Sequence, residues 1–592
     1  MMKRTLCLLL CFAMLLACCP SFGEAAAVQE KTAPWTLEEK ALPMYIEGFG
    51  MVHTGVPVYY ANGVNDLPYV DLMEWAILMD LLMMEEGSDN HFYTAELDEK
   101  EKQVLLTYKP TASNALISFD ESVVLFENYD TFGTVRPDAL DIVSLTGFNE
   151  LTGQQELVAR VVDLRNERKG ESKVIPLDSY QIPMTFQDGK CLMPLHTVFD
   201  LFFCIQRNYV CCCNNEAIFL GGKGMFVQSE DADPMELSEL GELYYKAPKT
   251  ERSAQLALFG FYELCMEMDC FYGLKDSHNI HDFLELMVQT EYYERLLSPD
   301  PAVADACLRD FINFYFDDLH SSYNFPSWMT GFETELPEEK NGISARRDTK
   351  VSRTYHSALE PFAPDGLPAY QEIGNTAYVT FNGFAANHPS AYYYDLDLSS
   401  EDCITDTISL VLYAHHQITR ENSPVENVVL DLSLNGGGDA DAAVFVISWF
   451  LGEAAVANVD TFTGAQVSGT YLADTNLDRE FSEEDWLIYR YQLYCLISPY
   501  SFSCANLVPW AFKSDGAVTL VGRTSGGGSC LVQSMATAWG TIFQMSGANR
   551  LAYVKNGSFY DVDRGVEPDI VLTKLSSFFD REKLTNIINN AY

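Results

Sequence analysis

Between residues 376 and 521 the sequence alternates short β-branched runs with helical stretches, and this alternation constrains the fold more than any other feature. Strand-like runs at 376–381, 428–432, 493–497 and 518–521 are separated by helix-like runs at 400–416, 440–451 and 503–513. Strands separated by helices predict an α/β unit with a largely parallel sheet. Such sheets carry their chemistry in loops at the carboxyl ends of strands, so those loops are where function is sought.

Three loops stand out. Asp431-Leu432-Ser433-Leu434-Asn435-Gly436-Gly437-Gly438 follows one strand and opens the next helix. Consecutive glycines let backbone amides approach a ligand closely. No Gly-Lys-Ser/Thr follows, and Asp439 and Asp441 would repel phosphate, so this is not a nucleotide loop. In the second loop, a strand runs through Pro499-Tyr500-Ser501-Phe502 into a helix opening at Ser503. A serine there gains from the helix dipole and from free N–H groups that stabilise an oxyanion. The competing reading is a plain N-cap. The third, residues 521–530, is again glycine-rich.

Elsewhere the pattern differs. Residues 40–225 read as an α+β accessory region, with strands at 57–60, 103–108 and 218–220 and a helix over 66–84. Residues 229–251 read as an acidic linker or exposed helix. Helical periodicity over 253–268, 279–297 and 302–316 predicts a small bundle within residues 250–335, ending in Asp317-Asp318-Leu319-His320-Ser321. Residues 337–354 read as a polar connection to the α/β unit, placed at 365–592. Lys3 and Arg4 before an apolar run at 6–16 form a secretory signal over residues 1–27, so an exported protein is expected. Two cleavage readings compete: a bacterial lipobox at Leu15-Leu16-Ala17-Cys18, giving a lipoprotein on the cell surface, or cleavage near Ala25-Ala26-Ala27, giving a secreted one. With 84 acidic and 38 basic side chains the net charge is −46. A surface this acidic excludes nucleic acid as a partner. The cysteines and histidines show no zinc-like spacing, so no metal and no cofactor is expected.

The run Ser179-Tyr180-Gln181 through Phe203 resembles the small αβ modules of copper amine oxidase N-terminal-domain type. The larger resemblance lies downstream. Asp318-Leu319-His320-Ser321, Asp431 to Gly438, Ser501-Phe502-Ser503-Cys504-Ala505-Asn506, Gly522-Arg523-Thr524-Ser525-Gly526-Gly527 and Gly565-Val566-Glu567-Pro568-Asp569 occur in this order. Together they resemble the S41 family of serine peptidases, the tail-specific protease, tricorn and retinoid-binding-protein relatives.

The resemblance implies a multidomain chain with an α/β ClpP/crotonase-like catalytic core. It implies Ser503 as nucleophile, and His320 as general base in the manner of the tricorn-like branch. The Ser-Lys branch carries a lysine where Gly527 or Gly528 stands here, and the nearest lysines are Lys513 and Lys555. Asp563 is the expected third residue, with Asp561 next and Asp317 and Asp318 as structural alternatives. Oxyanion donors would be the Cys504 N–H and that of Gly437 or Gly438. His278, His281, His415 and His416 are assigned no catalytic role. The expected activity is that of an exported endopeptidase on polypeptide substrates. The alternative is an inactive peptide- or ligand-binding surface protein on the same scaffold, and envelope attachment through residues 40–225 is compatible with both.

Overall fold

The structure is a computed structural model describing residues 34–84, 90–133, 158–229, 235–333, 340–556 and 558–590. The signal segment and Cys18 lie outside the described residues. The expected alternation forms a six-stranded sheet in the order Tyr370–Ile373, Thr376–Thr380, Asn427–Asp431, Gln492–Ile497, Val518–Gly522, Ile570–Val571. Only its first pair is antiparallel. Val379, Leu430, Cys495 and Leu520 stand in register across it.

Strand side chains alternate between faces, and the two faces feed separate cores. Val428, Leu430, Leu493, Cys495 and Leu520 pack with the helices Thr407–Thr419, Ala440–Leu451 and Cys504–Asp515. Val429, Tyr494, Leu496 and Val521 pack with Tyr355, Phe578 and Leu584 from the opposite side. Tyr355 belongs to the helix Ile343–Leu359, which occupies most of the segment expected to be a polar connection. Its cap is remote in sequence: the Asp317 carboxylate accepts the Ile343 and Ser344 N–H groups, both at 2.8 Å.

A second, antiparallel sheet is built on the long strand Ile542–Lys555, in the order Ser322–Phe325, Ile542–Lys555, Ala454–Asp460, Gln466–Ala473, Ala159–Arg168. Cys530–Ala536 and Ser558–Asp561 also pair with the long strand. The strand Ala159–Arg168 comes from the accessory region, so that region completes a sheet of the α/β half.

The rest of the accessory region forms a seven-stranded and a five-stranded sheet. Its expected helix starts later than read, at Leu72, because Pro68–Asp71 is a strand and Asp71 is the N-cap. In the helical segment Ala254–Phe271 is continuous. The stretch 279–297 divides into Phe283–Val288, capped by Asp282, and Tyr292–Leu296. Leu72, Trp75, Phe199 and Phe202 share one apolar core with Leu264, Phe271 and Phe311, and that core continues to Trp539 and Phe543. The accessory and helical segments are therefore packed on each other, and within the connecting stretch Glu239–Tyr244 forms the helix given as one reading of it. All twelve described cysteines are free thiols.

Candidate active site

Ser503 is the last residue before the helix Cys504–Asp515 and has φ +57°, ψ −124°. This is a sparsely populated conformation for a residue with a Cβ, one that persists only where its surroundings impose it. Those surroundings are backbone. The Ser503 N–H donates to the Gly527 carbonyl at 2.9 Å, and Gly526 N–H to the Ser501 carbonyl at 2.7 Å. On the other side lies Gly437, where an added Cβ would stand 2.6 Å from Ser503 Cβ and 3.2 Å from its Oγ. The three sequence loops thus meet at this one residue.

The serines of the turn divide by use. Ser501 Oγ donates to the Leu432 carbonyl at 2.7 Å and Ser498 Oγ to the Ser433 carbonyl at 2.6 Å, tying the turn to the Asp431 loop. Ser503 Oγ makes no capping bond and has no hydrogen-bond partner among the described residues. The N-cap reading of Ser503 is therefore corrected: its hydroxyl is half-buried and uncommitted.

The amides beside it divide in the same way. Gly437 N–H donates to Asn435 Oδ1 at 2.8 Å, which removes it from the pair of expected donors. Gly438 and Cys504 N–H have no acceptor among the described residues. Asn435 is buried and anchored through its Nδ2 to the Phe381 carbonyl at 3.0 Å, which fixes the glycine turn.

His320 sits where the helical segment enters the strand Ser322–Phe325, and its carbonyl accepts from Gln544 Nε2 at 2.8 Å. Its neighbour Asp318 is a structural brace. That carboxylate accepts the His320 and Ser321 N–H groups, the Ser321 and Ser546 hydroxyls and the Tyr272 hydroxyl, all within 3.0 Å. Asp317 is occupied as the remote cap described above. The His320 ring is buried, and its centroid lies 4.6 Å from that of Phe502, the residue before Ser503. Burial holds its pKa below the ordinary value, against the opposing charges of Asp318 and Asp563. Its ring has no hydrogen-bond partner among the described residues, Ser503 included.

His320, Phe502, Gly526, Gly528 and Asp563 line a common cavity of 220 Å³. Asp563 accepts the Ser529 N–H and hydroxyl at 3.3 and 3.2 Å, and Arg550 stands 3.9 Å away. Arg550 pairs more closely with Asp561, at 2.5 Å. Sequence reading missed Asn506. It is buried, donates to the Val562 carbonyl and accepts from Ser525 Oγ, whose oxygen in turn accepts the Val566 N–H at 2.7 Å. It couples the Ser503 helix, the 521–530 loop and the Asp563 segment, and its position in the Ser-Phe-Ser-Cys-Ala-Asn motif was the available signal. Lys513 pairs with Asp569 and Lys555 donates to the Ser514 carbonyl, so both lysines are engaged on the surface. Of the remaining histidines, His415 is buried with its pKa pushed down to about 3 by desolvation and accepts from the Trp449 indole. His278 contacts the Tyr272 hydroxyl at 3.2 Å.

Gly438 and Asp439 continue into a larger cleft of 740 Å³ between the α/β half and the accessory region. Its walls include Tyr129, Phe203 and Tyr209 on one side and Leu531, Val532 and Gln533 on the other.

Residues 375–572, about a third of the chain, match the family model described as peptidase family S41. Comparison with curated proteins gives no match. Among solved structures, the chain is similar to a photosystem II D1 C-terminal processing protease at 18% identity, covering 38% of this chain and 50% of that one with a TM-score of 0.27. A putative peptidase from Parabacteroides merdae is 16% identical over 54% of this chain and 90% of its own, with a TM-score of 0.37. A lipoprotein from Streptococcus agalactiae is 14% identical over 58% and 97%, with a TM-score of 0.34. The chain spans only half the length of the first of these. Residues 375–572 thus carry a domain that matches peptidase family S41.

Proposed function

We propose that the protein is an exported serine endopeptidase in which Ser503 is the nucleophile and His320 the general base, on a ClpP/crotonase-like core of the tricorn-like Ser-His kind. One observation carries this reading. Among the ordered serines of the turn, Ser503 alone is held at positive φ with its hydroxyl uncommitted and two unpaired amides beside it. An N-cap needs none of these features.

Ser503 Oγ attacks the scissile carbonyl while His320 takes its proton. Burial keeps the imidazole neutral and ready to accept near neutral pH. The developing oxyanion is stabilised by the Cys504 and Gly438 amides. His320 then passes the proton to the departing amine, leaving an ester on Ser503. Water, deprotonated by the same imidazole, cleaves that ester and regenerates the hydroxyl. Asp563, across the cavity from the ring, stabilises the transient imidazolium. Catalytic hydrogen bonds often tighten only when substrate binds, and Phe502 is the side chain that must yield.

The Ser-Lys alternative is disfavoured because Lys513 and Lys555 are held elsewhere. The cleft beside Gly438 is the channel for an extended polypeptide, with the accessory region as one wall. Export rests on the signal segment, and lipid attachment on Cys18. Fatty-acid labelling of the full-length protein tests the latter, with label expected on wild type and absent from Cys18→Ala. The activity is tested on a denatured protein such as casein: wild type cleaves it and Ser503→Ala does not. Cleavage by Ser503→Ala at the wild-type rate overturns the assignment.

A further inference from the structure

Away from the active site, four ionisable side chains meet inside the protein. His196 and Asp200 lie one turn apart where the helix Leu195–Phe199 runs into the π-helical turn Asp200–Cys204. Glu263 and Glu267 lie one turn apart on the helix Ala254–Phe271. Residues four apart share a helix face, so each helix presents a pair, and the pairs face each other. The side chains are 9%, 5%, 1% and 1% exposed respectively, which places the group deep in the interior.

The geometry asks more of one imidazole than hydrogen bonds can supply. Asp200 Oδ2, Glu263 Oε2 and Glu267 Oε1 lie 2.8, 2.9 and 3.9 Å from one atom, His196 Nδ1. A ring nitrogen carries at most one hydrogen and cannot serve three carboxylates. Indeed His196 Nδ1 and all three of these oxygens lack a hydrogen-bond partner despite their proximity. Glu263 Oε1 is engaged by the Thr197 hydroxyl, and the Asp200 carboxyl also lies in hydrogen-bond reach of Cys204 and Glu267. No lysine or arginine pairs with any of the three carboxylates among the described residues. One imidazole and three carboxyl groups crowded into an interior are too costly to stand there as bare ions, so the group must hold either protons or a cation.

We propose that His196, Asp200, Glu263 and Glu267 bind one divalent transition-metal ion. Donor atoms around such an ion at about 2.1 Å lie roughly 3–4 Å from one another, and the His196, Asp200 and Glu267 donors all fall within 4.8 Å. One imidazole with three carboxylates suits a Zn²⁺, Mn²⁺ or Fe²⁺ ion. The ion is a clamp rather than a reactant. It joins the accessory helix that leads to Phe203 and Asn208 at the cleft to the helix whose end, Tyr272, holds Asp318 beside His320. Asn208 Oδ1 in turn accepts the Ser534 N–H at 2.6 Å.

The test uses full-length protein stripped with chelator, dialysed, and offered Zn²⁺ or Mn²⁺ alone, with bound metal and melting temperature as readouts. The expected result is about one ion per chain and a melting temperature raised by several degrees. In the Glu263→Gln/Glu267→Gln variant the ion and the metal-dependent rise should both be lost. The stripped variant should melt no lower than stripped wild type, because two buried charges are gone. If that variant does not fold, the d–d absorption of Co²⁺ added to stripped wild type, present or absent, decides. Stripped wild type that binds neither ion and melts unchanged overturns the proposal, since shared protons then suffice. Equal binding by wild type and variant overturns it as well, because the ion then sits elsewhere.

Discussion

The Ser503 turn and the His196 cluster are two polar centres built by opposite means. At Ser503 the polar atoms left over are one hydroxyl and two amides at the lip of a cleft, held by a frame of satisfied backbone and side-chain bonds from Ser498, Ser501, Asn435 and Asn506. At His196 the unsatisfied atoms belong to one imidazole and three carboxyl groups sealed in the core. A neutral unpaired group facing solvent costs little and can wait for substrate. Buried unpaired charges cost too much to wait, and call for a resident partner. The comparison separates a site prepared for turnover from one prepared for permanent occupancy.

The largest effects should come from removing the uncommitted atoms themselves. Ser503→Ala and His320→Ala should each lower kcat by about 10⁴-fold or more, and the double variant should lose little beyond either, because the two act as a unit. Multiplicative losses in casein cleavage would separate them. Next comes Gly437→Ala, whose methyl would stand 2.6 Å from Ser503 Cβ at a backbone φ of +111°. Displacing Ser503 should cost on the order of 10²-fold or more in kcat, with a lowered melting temperature from the strained backbone, and near-normal turnover in the folded variant would show that the turn is not a rigid mount. Asp563→Asn should cost on the order of 10²-fold or less. Since the Asp563 charge raises the His320 pKa against burial, its loss should also move the acid limb of the kcat/KM profile to lower pH. An unmoved limb would remove Asp563 from the site. The smallest effect on turnover should come from Asn435→Ala, which frees the buried Gly437 N–H and should reduce stability by about 1–3 kcal/mol in denaturant unfolding.

What could be read from the sequence follows from how local each signal is. The parallel sheet was legible because each strand and helix carries its own period, and Ala440–Leu451 falls where the periodicity places it. Ser503 and His320 were singled out by short motifs. Their neighbours were not: Asn435 and Asn506 act through side-chain bonds to segments about 20 to 56 residues away, which no local pattern records. The helix Ile343–Leu359 was read as a connection because its capping residue, Asp317, lies 26 residues upstream of Ile343. The accessory strand Ala159–Arg168 finds its partner only at Gln466–Ala473. The His196 cluster was invisible for the same reason. Its two helical pairs are each an ordinary one-turn spacing, and only folding sets them face to face, so a search for closely spaced cysteines and histidines passes over them.

The central claim is that Ser503 is a nucleophile, and a fluorophosphonate probe measures this most directly. Phosphonylation requires an activated serine hydroxyl next to an oxyanion site, and peptide mapping identifies the labelled residue. Wild type should be labelled at Ser503 alone, His320→Ala should label far more slowly, and Ser503→Ala should not be labelled. Folded wild-type protein that stays unlabelled, or carries the label on another serine, would contradict the account and favour a binding protein on the peptidase scaffold.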